Sequence, residues 1–279
     1  MRIVKSDIEL QGVISDLSES RSKIGFVPTM GALHEGHLQL VKQSHEENDL
    51  TIVSIFVNPK QFNNKEDFDK YPVTIERDKQ MLERAYCDIL FLPDETVVYP
   101  KNFKPAKLNL GQLDSVFEGP LRPGHFDGVV QVVYRLFEMV RPHTAYFGLK
   151  DYQQCMVIKL LRNAYFPKIE LKFAETIRQP DGLAMSSRNA RLSQIGLEKA
   201  SNLYKALTMV KNLKKHIEPF DALKYAKYNL AQQGIEVEYL SLANADTLIE
   251  SKKWLRKGKN VVLAAVWVEG VRLIDNIIF

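Results

Sequence analysis

Cysteine is scarce in this chain of 279 residues, and Cys87 and Cys155 are the only two. No Cys-x-x-Cys pair or Cys/His cluster accompanies them, which leaves little support for a disulfide framework or a structural zinc site. Residues 1–7 lack the apolar core of a secretion signal, and the longest apolar run, Val261 to Val268, is far too short to span a membrane. We therefore expect a protein of the reducing cytoplasm that does not engage a membrane.

An excess of charge of one sign is also absent from most of the chain. Residues 1–195 hold 25 Lys and Arg against 25 Asp and Glu, and residues 196–279 hold 13 against 9, so the formal net charge of +4 arises in the last third. The basic residues are densest over 252–259, where Trp254 is the only aromatic residue. Because nucleic-acid surfaces usually interleave cations with aromatic platforms, a solvated turn is favoured over a nucleic-acid site.

Apolar runs and helical periodicities alternate over the first two thirds of the chain. Continuous apolar stretches bounded by turn residues predict strands, and apolar residues at helical spacing predict the helices between them. The predicted strands are 24–27, 50–57, 88–92, 144–147 and 169–173, and the predicted helices are one capped by Ser6, one that begins near residue 34, and 74–86, 126–139 and 152–165. This alternation is typical of a doubly wound parallel sheet of the Rossmann-like α/β class.

The pattern changes over residues 176–189. Pro180, Asp181 and Gly182 form a turn signal there, and small polar residues follow. Beyond this point the sequence predicts helices at 194–213 and 219–232 and strands at 237–242, 261–268 and 271–278. We therefore predict a larger domain over 1–176 and a second, smaller α+β domain over 177–279.

Residues 24–41 are built to hold a phosphate. An apolar strand at 24–27 is closed by Pro28 and Gly31, and helical spacing begins at Leu33. The first turn of such a helix offers backbone N–H groups that have no intrahelical partner, at the positive end of the helix dipole. Together these features predict an anion site.

His34 and His37 lie three residues apart in that first turn, so they share one face of the helix. Gly36 removes a side chain from the side where a phosphate must approach the backbone. An imidazole N–H aimed at the phosphate would stabilise the charge that develops when the phosphorus is attacked. The alternatives are two solvated histidines, or a zinc site, for which no third ligand stands at zinc-protease spacing.

Polar segments follow four of the predicted strands. Ligands of an open parallel sheet bind beyond the carboxyl ends of its strands, so these segments predict one shared cleft. The segments are Met30–His37, Asn58–Phe62, Gly148–Gln154 and Ile177–Asn189.

Lys150 and the loop Ser186-Ser187-Arg188 are candidate phosphate contacts. Lys150 lies just past a strand end, and an ammonium suits a mobile polyphosphate. The loop, preceded by Met185, offers two hydroxyls and a guanidinium that could close over a leaving pyrophosphate. The plain alternatives are a solvated loop lysine and a loop that only caps the next helix.

Gln61 and Gln154 could hold a small hydroxy acid without neutralising its carboxylate, and Asn58 could add to them. Neutral amides orient a nucleophilic carboxylate at smaller electrostatic cost than an arginine would. Gln61 alone would more simply be a turn residue after Asn58-Pro59.

Two weaker candidates remain. The glycine-bounded loop 119–126 presents Arg122 and His125 ahead of a helix, which makes a second anion contact plausible. Asp78, on the helix after the second predicted strand, is a candidate for holding Mg²⁺ through a water, with a solvated carboxylate as the alternative.

The chain resembles the pantothenate synthetases, and the resemblance covers essentially its whole length. It rests on five segments in this order: Pro28-Thr-Met-Gly-Ala-Leu-His-Glu-Gly-His37, Phe56-Val-Asn-Pro-Lys-Gln-Phe62, Arg122-Pro-Gly-His-Phe126, Gly148-Leu-Lys-Asp-Tyr-Gln-Gln154 and Asp181-Gly-Leu-Ala-Met-Ser-Ser-Arg-Asn189. The His-x-Gly-His element alone is shared with nucleotidyltransferases and class I aminoacyl-tRNA synthetases. The combination of five is far more specific.

The resemblance implies an AMP-forming acid–amine ligase of the coenzyme A pathway. In that family the carboxylate of (R)-pantoate attacks the α-phosphate of ATP to give pantoyl adenylate and pyrophosphate, and β-alanine then displaces AMP to give pantothenate. Mg²⁺ accompanies the ATP. The family is typically a homodimer, its larger domain carries the nucleotide and pantoate sites, and its smaller domain covers the active site.

The resemblance also implies roles for individual residues. His37, His34 and Lys150 would be catalytic; Gln61, Gln154 and Asn58 would bind pantoate, with Gln61 also near β-alanine; and Arg122 and His125 would meet the pyrophosphate. The implied ATP contacts are Met30, Gly31, His34, Gly36, His37, Gly148, Lys150, Asp151, Ile177, Met185, Ser186, Ser187 and Arg188.

Two other functions stay open on the sequence. A nucleotidyltransferase acting on a phosphorylated alcohol would share the phosphate turn, but it would need more cations in the acceptor site than Asn58, Gln61 and Gln154 provide. A nucleic-acid-binding protein that has kept a nucleotide fold would use the basic last third of the chain.

Overall fold

The computed structural model describes residues 1–18 and 22–279, without the side chains of residues 16–18. The described chain forms two compact units. Unit 1 contains residues 1–149 and 153–175, and unit 2 contains residues 150–152 and 176–279. The short segment 150–152, which the sequence placed in the larger domain, thus groups with unit 2.

Unit 1 is built on a parallel sheet of six strands. They are β1 (Arg2–Val4), β2 (Ile24–Thr29), β3 (Leu50–Ile55), β4 (Ile89–Phe91), β5 (Thr144–Gly148) and β6 (Glu170–Ala174), in the spatial order β1-β4-β3-β2-β5-β6. The predicted α/β class with a doubly wound parallel sheet is confirmed. β1 was not predicted, because it is only three residues long and two of them are exposed, so it leaves no apolar run.

In the described part of unit 1, eight α-helices connect these strands or lie between them. They are α1 (Asp7–Ser18), α2 (Glu35–Glu47), α3 (Lys65–Asp69), α4 (Ile75–Arg84), α5 (Glu95–Val98), α6 (Glu118–Leu121), α7 (His125–Val140) and α8 (Tyr152–Tyr165), the first residue of which belongs to unit 2. The helices α3, α5 and α6 span only four or five residues, which is too short to show a helical period in the sequence.

The central strands are buried on both faces, as parallel strands covered by helices must be. Phe26 and Ile52 pack with apolar residues of α1, α7 and α8. The next residues along, Val27 and Val53, pack with those of α2 and α4 instead. Alternate side chains of one strand therefore reach two different cores, which places helices on both faces of the sheet.

Unit 2 contains a separate core. Its helices are α9 (Gln194–Leu213) and α10 (Pro219–Gln232), and its strands β7 (Glu236–Asn244), β8 (Asn260–Val268) and β9 (Val271–Ile278) form an antiparallel sheet in the order β7-β8-β9. Leu203 and Leu207 of α9 and Leu230 of α10 pack against apolar residues of that sheet. The predicted smaller α+β unit is confirmed.

The order of the strands locates a crevice in unit 1. From β2 the chain continues on one side to β3 and β4, and β5 returns to the other side of β2. At such a switch point the loops that follow the two neighbouring strands diverge, and ligands bind between them. The segments that leave β2 and β5 begin at Met30 and Leu149, so two of the predicted polar segments flank this crevice.

No helix in the described part of the chain is long and apolar enough to cross a membrane.

Candidate active site

The turn that leaves β2 has an unusual backbone. Gly31 has φ +80° and Ala32 has φ +48°, so two consecutive residues adopt left-handed conformations. Glycine is required at position 31 for space as well, because a Cβ there would lie 2.9 Å from Ile55 Cγ2 and 3.1 Å from Asp78 Oδ2. The tight turn brings the chain directly from the strand into the first residue of α2.

The side chains of His34 and His37 each accept a backbone hydrogen bond at the start of α2. His34 is the N-cap residue, and its Nδ1 accepts the backbone N–H of Gly36 at 3.1 Å. His37 Nδ1 accepts the backbone N–H of His34 at 3.3 Å, which completes a capping box. The two rings lie with their centroids 4.0 Å apart. The predicted shared face of the two histidines is thus present.

These hydrogen bonds determine where each imidazole carries its proton. A nitrogen that accepts an N–H has no proton of its own, so in both rings the proton of the neutral form resides on Nε2. Both rings lie beside a helix N-terminus that favours negative charge. The arrangement suits a pair of donors to a phosphate, and it does not need an imidazolium.

Asn58 and Gln61 form the second part of the site, in the segment after β3. Asn58 has no exposed surface, and its Nδ2 donates to Gln61 Oε1 and to the Gly128 carbonyl, both at 3.1 Å. Its Oδ1 accepts from Lys60 N–H at 3.2 Å and from the Tyr99 hydroxyl at 2.9 Å. This amide makes four hydrogen bonds within the protein and has little capacity left for a ligand.

The amide of Gln61 is oriented by Asn58. With Oε1 held by Asn58, the Nε2 of Gln61 is turned toward Met30 Sδ, 2.9 Å away. A thioether is a weak acceptor, so this nitrogen can donate to a stronger one. Because Met30 begins the turn after β2, Gln61 lies directly beside the phosphate turn.

His125 and Gly128 of α7 support the segment that carries Gln61. The His125 ring is 5 % exposed, and its Nδ1 donates to the Gln61 carbonyl at 2.8 Å. At Gly128 a Cβ would lie 2.3 Å from the Lys60 carbonyl oxygen, so only glycine permits this approach of helix and turn. His125 therefore lies under the turn, where Nδ1 is used within the protein, and its predicted anion contact stays a prediction. Arg122 is the other residue of that prediction, and its Nη1 lies 3.6 Å from Oε2 of Glu118.

Two adjacent glutamines in the first turn of α8 have different surroundings. Gln153 is 3 % exposed, accepts the backbone N–H of Glu118 and donates to the carbonyls of Leu113 and Val116. Gln154 is half-buried, and its amide makes no hydrogen bond to the described residues. Of the two, Gln154 is the one whose amide has no partner among the described residues, and its role in binding a ligand stays a prediction.

In unit 2 the segment after β6 forms a short hairpin. The Met185 N–H donates to the Ile177 carbonyl at 2.9 Å, and Arg178 bridges to Ala184 in antiparallel fashion. Ser186 Oγ accepts the Arg188 N–H at 3.3 Å and begins a short 3-10 turn over Ser187–Arg191. The structure thus brings Ile177, Met185 and the Ser186–Arg188 loop together.

Residues of β9 contact this hairpin and the segment that follows β5. Arg178 forms a bidentate ion pair with Asp275 at 2.6 and 2.9 Å, and the Arg178 guanidinium lies 3.6 Å from the centre of the Tyr204 ring. Asn276 donates to the Lys150 carbonyl at 3.0 Å, and the Lys150 ammonium lies 3.2 Å from Asp151. Asp275 and Asn276 were not picked out in the sequence, since a strand residue far along the chain gives no local signal of such contacts.

The Mg²⁺ contact predicted for Asp78 does not fit the structure. Asp78 has no exposed surface, and its two carboxylate oxygens accept the backbone N–H groups of Ala32 and Leu33, each at 2.9 Å. No group of three or more His, Cys, Asp or Glu side chains that could hold a metal ion occurs among residues 1–18 and 22–279.

The fold and the arrangement of residues define a class of enzyme. A doubly wound sheet with a phosphate turn at its switch point, two imidazole donors and a neighbouring amide is the site of an α/β enzyme that acts on a phosphate-bearing nucleotide. Known proteins narrow this class further. A family model for pantoate-beta-alanine ligase matches residues 2–278.

Relatives and solved structures agree with this match. The pantothenate synthetase of Cytophaga hutchinsonii is 48% identical over 94% of each chain. The structure of the pantothenate synthetase from Thermus thermophilus superposes with a TM-score of 0.92 at 38% identity over 99% of each chain. That of the pantoate-beta-alanine ligase from Francisella tularensis, complexed with beta-gamma ATP and beta-alanine, has a TM-score of 0.84 at 36% identity over 99% and 97%.

The chain belongs to the pantoate-beta-alanine ligase family. Its activity is the ligation of pantoate to β-alanine. The resemblance inferred from five sequence segments is confirmed.

Proposed function

We propose that this chain performs the ATP-dependent ligation in two steps on one site. In the first, an oxygen of the pantoate carboxylate attacks the α-phosphorus of ATP, the bond to the bridging oxygen breaks, and pyrophosphate leaves. In the second, the amine of β-alanine attacks the acyl carbon of pantoyl adenylate, the bond to the adenylate oxygen breaks, and AMP leaves as the amine loses a proton. The products are pantothenate, AMP and pyrophosphate.

The proposal rests on the contact between Gln61 and the turn that follows β2. Gln61 Nε2 lies 2.9 Å from Met30 Sδ, at the start of the turn that ends in His34. An acid held by Gln61 is therefore next to a phosphate held by the turn. Such proximity of a nucleophile and an electrophile supplies a large part of the rate of a ligation.

In this mechanism His37 and His34 stabilise charge on the phosphate. Each ring has its Nδ1 tied to the backbone, so each Nε2–H is oriented before substrate binds. A preoriented donor is most valuable where charge develops in the transition state, which here is the α-phosphate. We assign His37 to the developing charge and His34 to the nucleotide.

Gln61 and Gln154 hold pantoate in the proposal, and Gln61 also lies near β-alanine. Asn58 acts through Gln61, because its own amide is fully hydrogen-bonded within the protein. The further proposed ATP contacts are Met30, Gly31, Gly36, Gly148, Lys150, Asp151, Ile177, Met185, Ser186, Ser187 and Arg188. We propose that Mg²⁺ arrives as the counter-ion of the ATP phosphates.

Isotope exchange tests the first step. Incubation with pantoate, ATP, Mg²⁺ and labelled pyrophosphate should move label into ATP, because adenylate formation is reversible. Leaving out pantoate is the control and should abolish the exchange. Exchange that does not depend on pantoate, or none at all, would refute the adenylate route.

The resemblance to the family also leads us to propose a cytoplasmic homodimer. Light scattering on the protein as it elutes from a size-exclusion column should then give twice the chain mass of 32.0 kDa. A mass equal to one chain at micromolar concentration would contradict the proposal.

A further inference from the structure

Asp78 lies behind the phosphate turn, on α4, the crossover helix between β3 and β4. It is fully buried, and its carboxylate accepts three hydrogen bonds. Oδ2 accepts the Ala32 N–H at 2.9 Å, and Oδ1 accepts the Leu33 N–H at 2.9 Å and the Thr74 hydroxyl at 3.0 Å. A carboxylate suits this place because both of its oxygens accept hydrogen bonds.

The two backbone N–H groups belong to the residues immediately ahead of the His34 cap. Ala32 adopts φ +48°, a left-handed conformation that is unfavourable for a residue with a Cβ. The Asp78 carboxylate accepts the N–H groups of the peptides before and after Ala32, and these hydrogen bonds offset that cost.

Asp78 itself is held on a rigid support. Leu82, one helical turn further along α4, is fully buried in the same core cluster as Leu33, Leu40 and Val41. The packing of Leu82 therefore fixes the position of the Asp78 carboxylate relative to α2 and the turn. A movement of the turn would move the His34 cap and, through the capping box, the His37 ring.

We propose that Asp78 is a positioning residue, which sets the turn 31–33 so that His34 and His37 meet the α-phosphate in their reactive geometry. This inference rests on the proposed adenylate chemistry. It gives Asp78 a role that acts through the histidines and replaces the role of a metal ligand. Misplacement of catalytic groups by about 1 Å can lower a rate about a hundredfold.

Asp78→Asn is the first test. The amide would turn an NH₂ group toward one backbone N–H, so the turn would lose one of its two anchors. We expect kcat to fall about a hundredfold while the KM for pantoate stays within a few-fold of the wild type, because Gln61 is held by Asn58 and His125. The variant should remain folded by circular dichroism and thermal melting.

Asp88→Asn is the matched control. Asp88 Oδ2 accepts the backbone N–H of Thr51 at 2.8 Å. Thr51 lies near the amino end of β3, whereas the turn follows the carboxyl end of the parallel strand β2. The substitution has the same chemistry and disturbs a similar backbone hydrogen bond. It should lower the melting temperature without a comparable loss in kcat, and an equal loss in both variants would overturn the proposal.

A mutant cycle separates positioning from simple destabilisation. In a background that carries both His34→Ala and His37→Ala, the additional loss from Asp78→Asn should shrink to a few-fold, since both positioned groups are gone. An undiminished loss in that background would refute the proposal. The Mg²⁺ concentration for half-maximal activity should be unchanged in Asp78→Asn, and restoration of its activity by high Mg²⁺ would assign Asp78 to the metal instead.

Thr74→Val covers the case in which Asp78→Asn does not fold. The Thr74 hydroxyl donates to Asp78 and makes no cap bond to α4, so its removal loosens only the carboxylate. We expect a several-fold lower kcat at nearly wild-type stability, and an unchanged kcat would overturn the proposal. If the wild type itself shows no pantoate-dependent exchange, the proposed function fails first, which is a different outcome from an active wild type with unaffected variants.

Discussion

At the scale of single residues, internal hydrogen bonds decide which atoms remain for substrate. Backbone N–H groups donate to Nδ1 of His34 and of His37, which fixes the orientation of both rings. Asn58 is saturated by its protein partners and presents the Nε2 of Gln61 instead. The chemistry of the site thus depends on side chains that have been oriented before the substrate arrives.

The neighbouring glutamines of α8 give a prediction at this scale. Gln154→Ala should raise the KM for pantoate at least tenfold with ATP binding retained, since the loss of a hydrogen bond to a charged carboxylate costs about 1.5–3 kcal/mol. Gln153→Ala is the matched control, because Gln153 is committed to the backbone of residues 113–118. It should lower stability and leave the pantoate KM nearly unchanged. Steady-state kinetics and thermal melting measure both, and a reversed pattern would contradict the assignment.

The sequence could reveal the histidines and glutamines but not the residues that orient them. His34 and His37 stand in a local pattern of strand, turn and helix, so their shared face followed from spacing. Asp78 lies 46 residues from Ala32 in the chain, and Gly128 lies 70 residues from Asn58. Which side chain is buried against which backbone group at such distances depends on the packed fold, and the periodicity of a single segment does not contain it.

At the scale of elements, the distance between α7 and the turn at 59–61 controls the position of Gln61. Gly128 of α7 approaches that turn so closely that its carbonyl accepts from Asn58 and its Cα faces the Lys60 carbonyl. His125, one helical turn earlier, donates to the Gln61 carbonyl. The helix and the turn therefore act as one rigid piece.

Gly128→Ala tests this close approach. The new Cβ would lie 2.3 Å from the Lys60 carbonyl oxygen and 2.7 Å from Gln61 Cα, both backbone atoms that cannot yield cheaply. We expect a loss of about 1–3 kcal/mol in the free energy of unfolding, together with a raised pantoate KM. Denaturant titration and steady-state kinetics measure the two effects.

Gly12→Ala on α1 is the control, since a Cβ there would meet nothing within 4 Å. That change should stabilise the protein by about 0.5–1 kcal/mol, as alanine does in a helix interior, and leave the kinetics unchanged. Equal kinetics for Gly128→Ala and the wild type would show that the turn can shift without moving the amide of Gln61.

At the scale of the whole molecule, the architecture could be predicted wherever strands are buried on both faces. β2, β3 and β8 are nearly continuous apolar runs, and their existence followed from that pattern alone. β1 did not, because a short edge strand has neither a long run nor a strict alternation. The grouping of residues 150–152 with unit 2 depends on contacts such as that of the Tyr152 hydroxyl with the Ala245 carbonyl, which no local pattern encodes.

The two units contain different natural probes of unfolding. Both cysteines of the chain, Cys87 and Cys155, lie in unit 1, and both tryptophans, Trp254 and Trp267, lie in unit 2. Burial raises the pKa of the Cys87 thiol to about 12, and Cys155 is fully buried. At about pH 8 an alkylating reagent should therefore label these thiols only after unit 1 unfolds, while tryptophan fluorescence reports on unit 2.

These probes test whether residues of both units bind the nucleotide. A ligand that binds only the folded state raises the midpoint of unfolding of whatever part it contacts. The proposed ATP contacts include Gly31 and His34 in unit 1 and Lys150 and Arg188 in unit 2, so ATP with Mg²⁺ should raise the midpoint measured by thiol labelling and the midpoint measured by tryptophan fluorescence. Lys150→Ala should reduce the shift seen by fluorescence. A shift confined to the thiol transition would limit the nucleotide site to the turn after β2 and remove the residues of unit 2 from it.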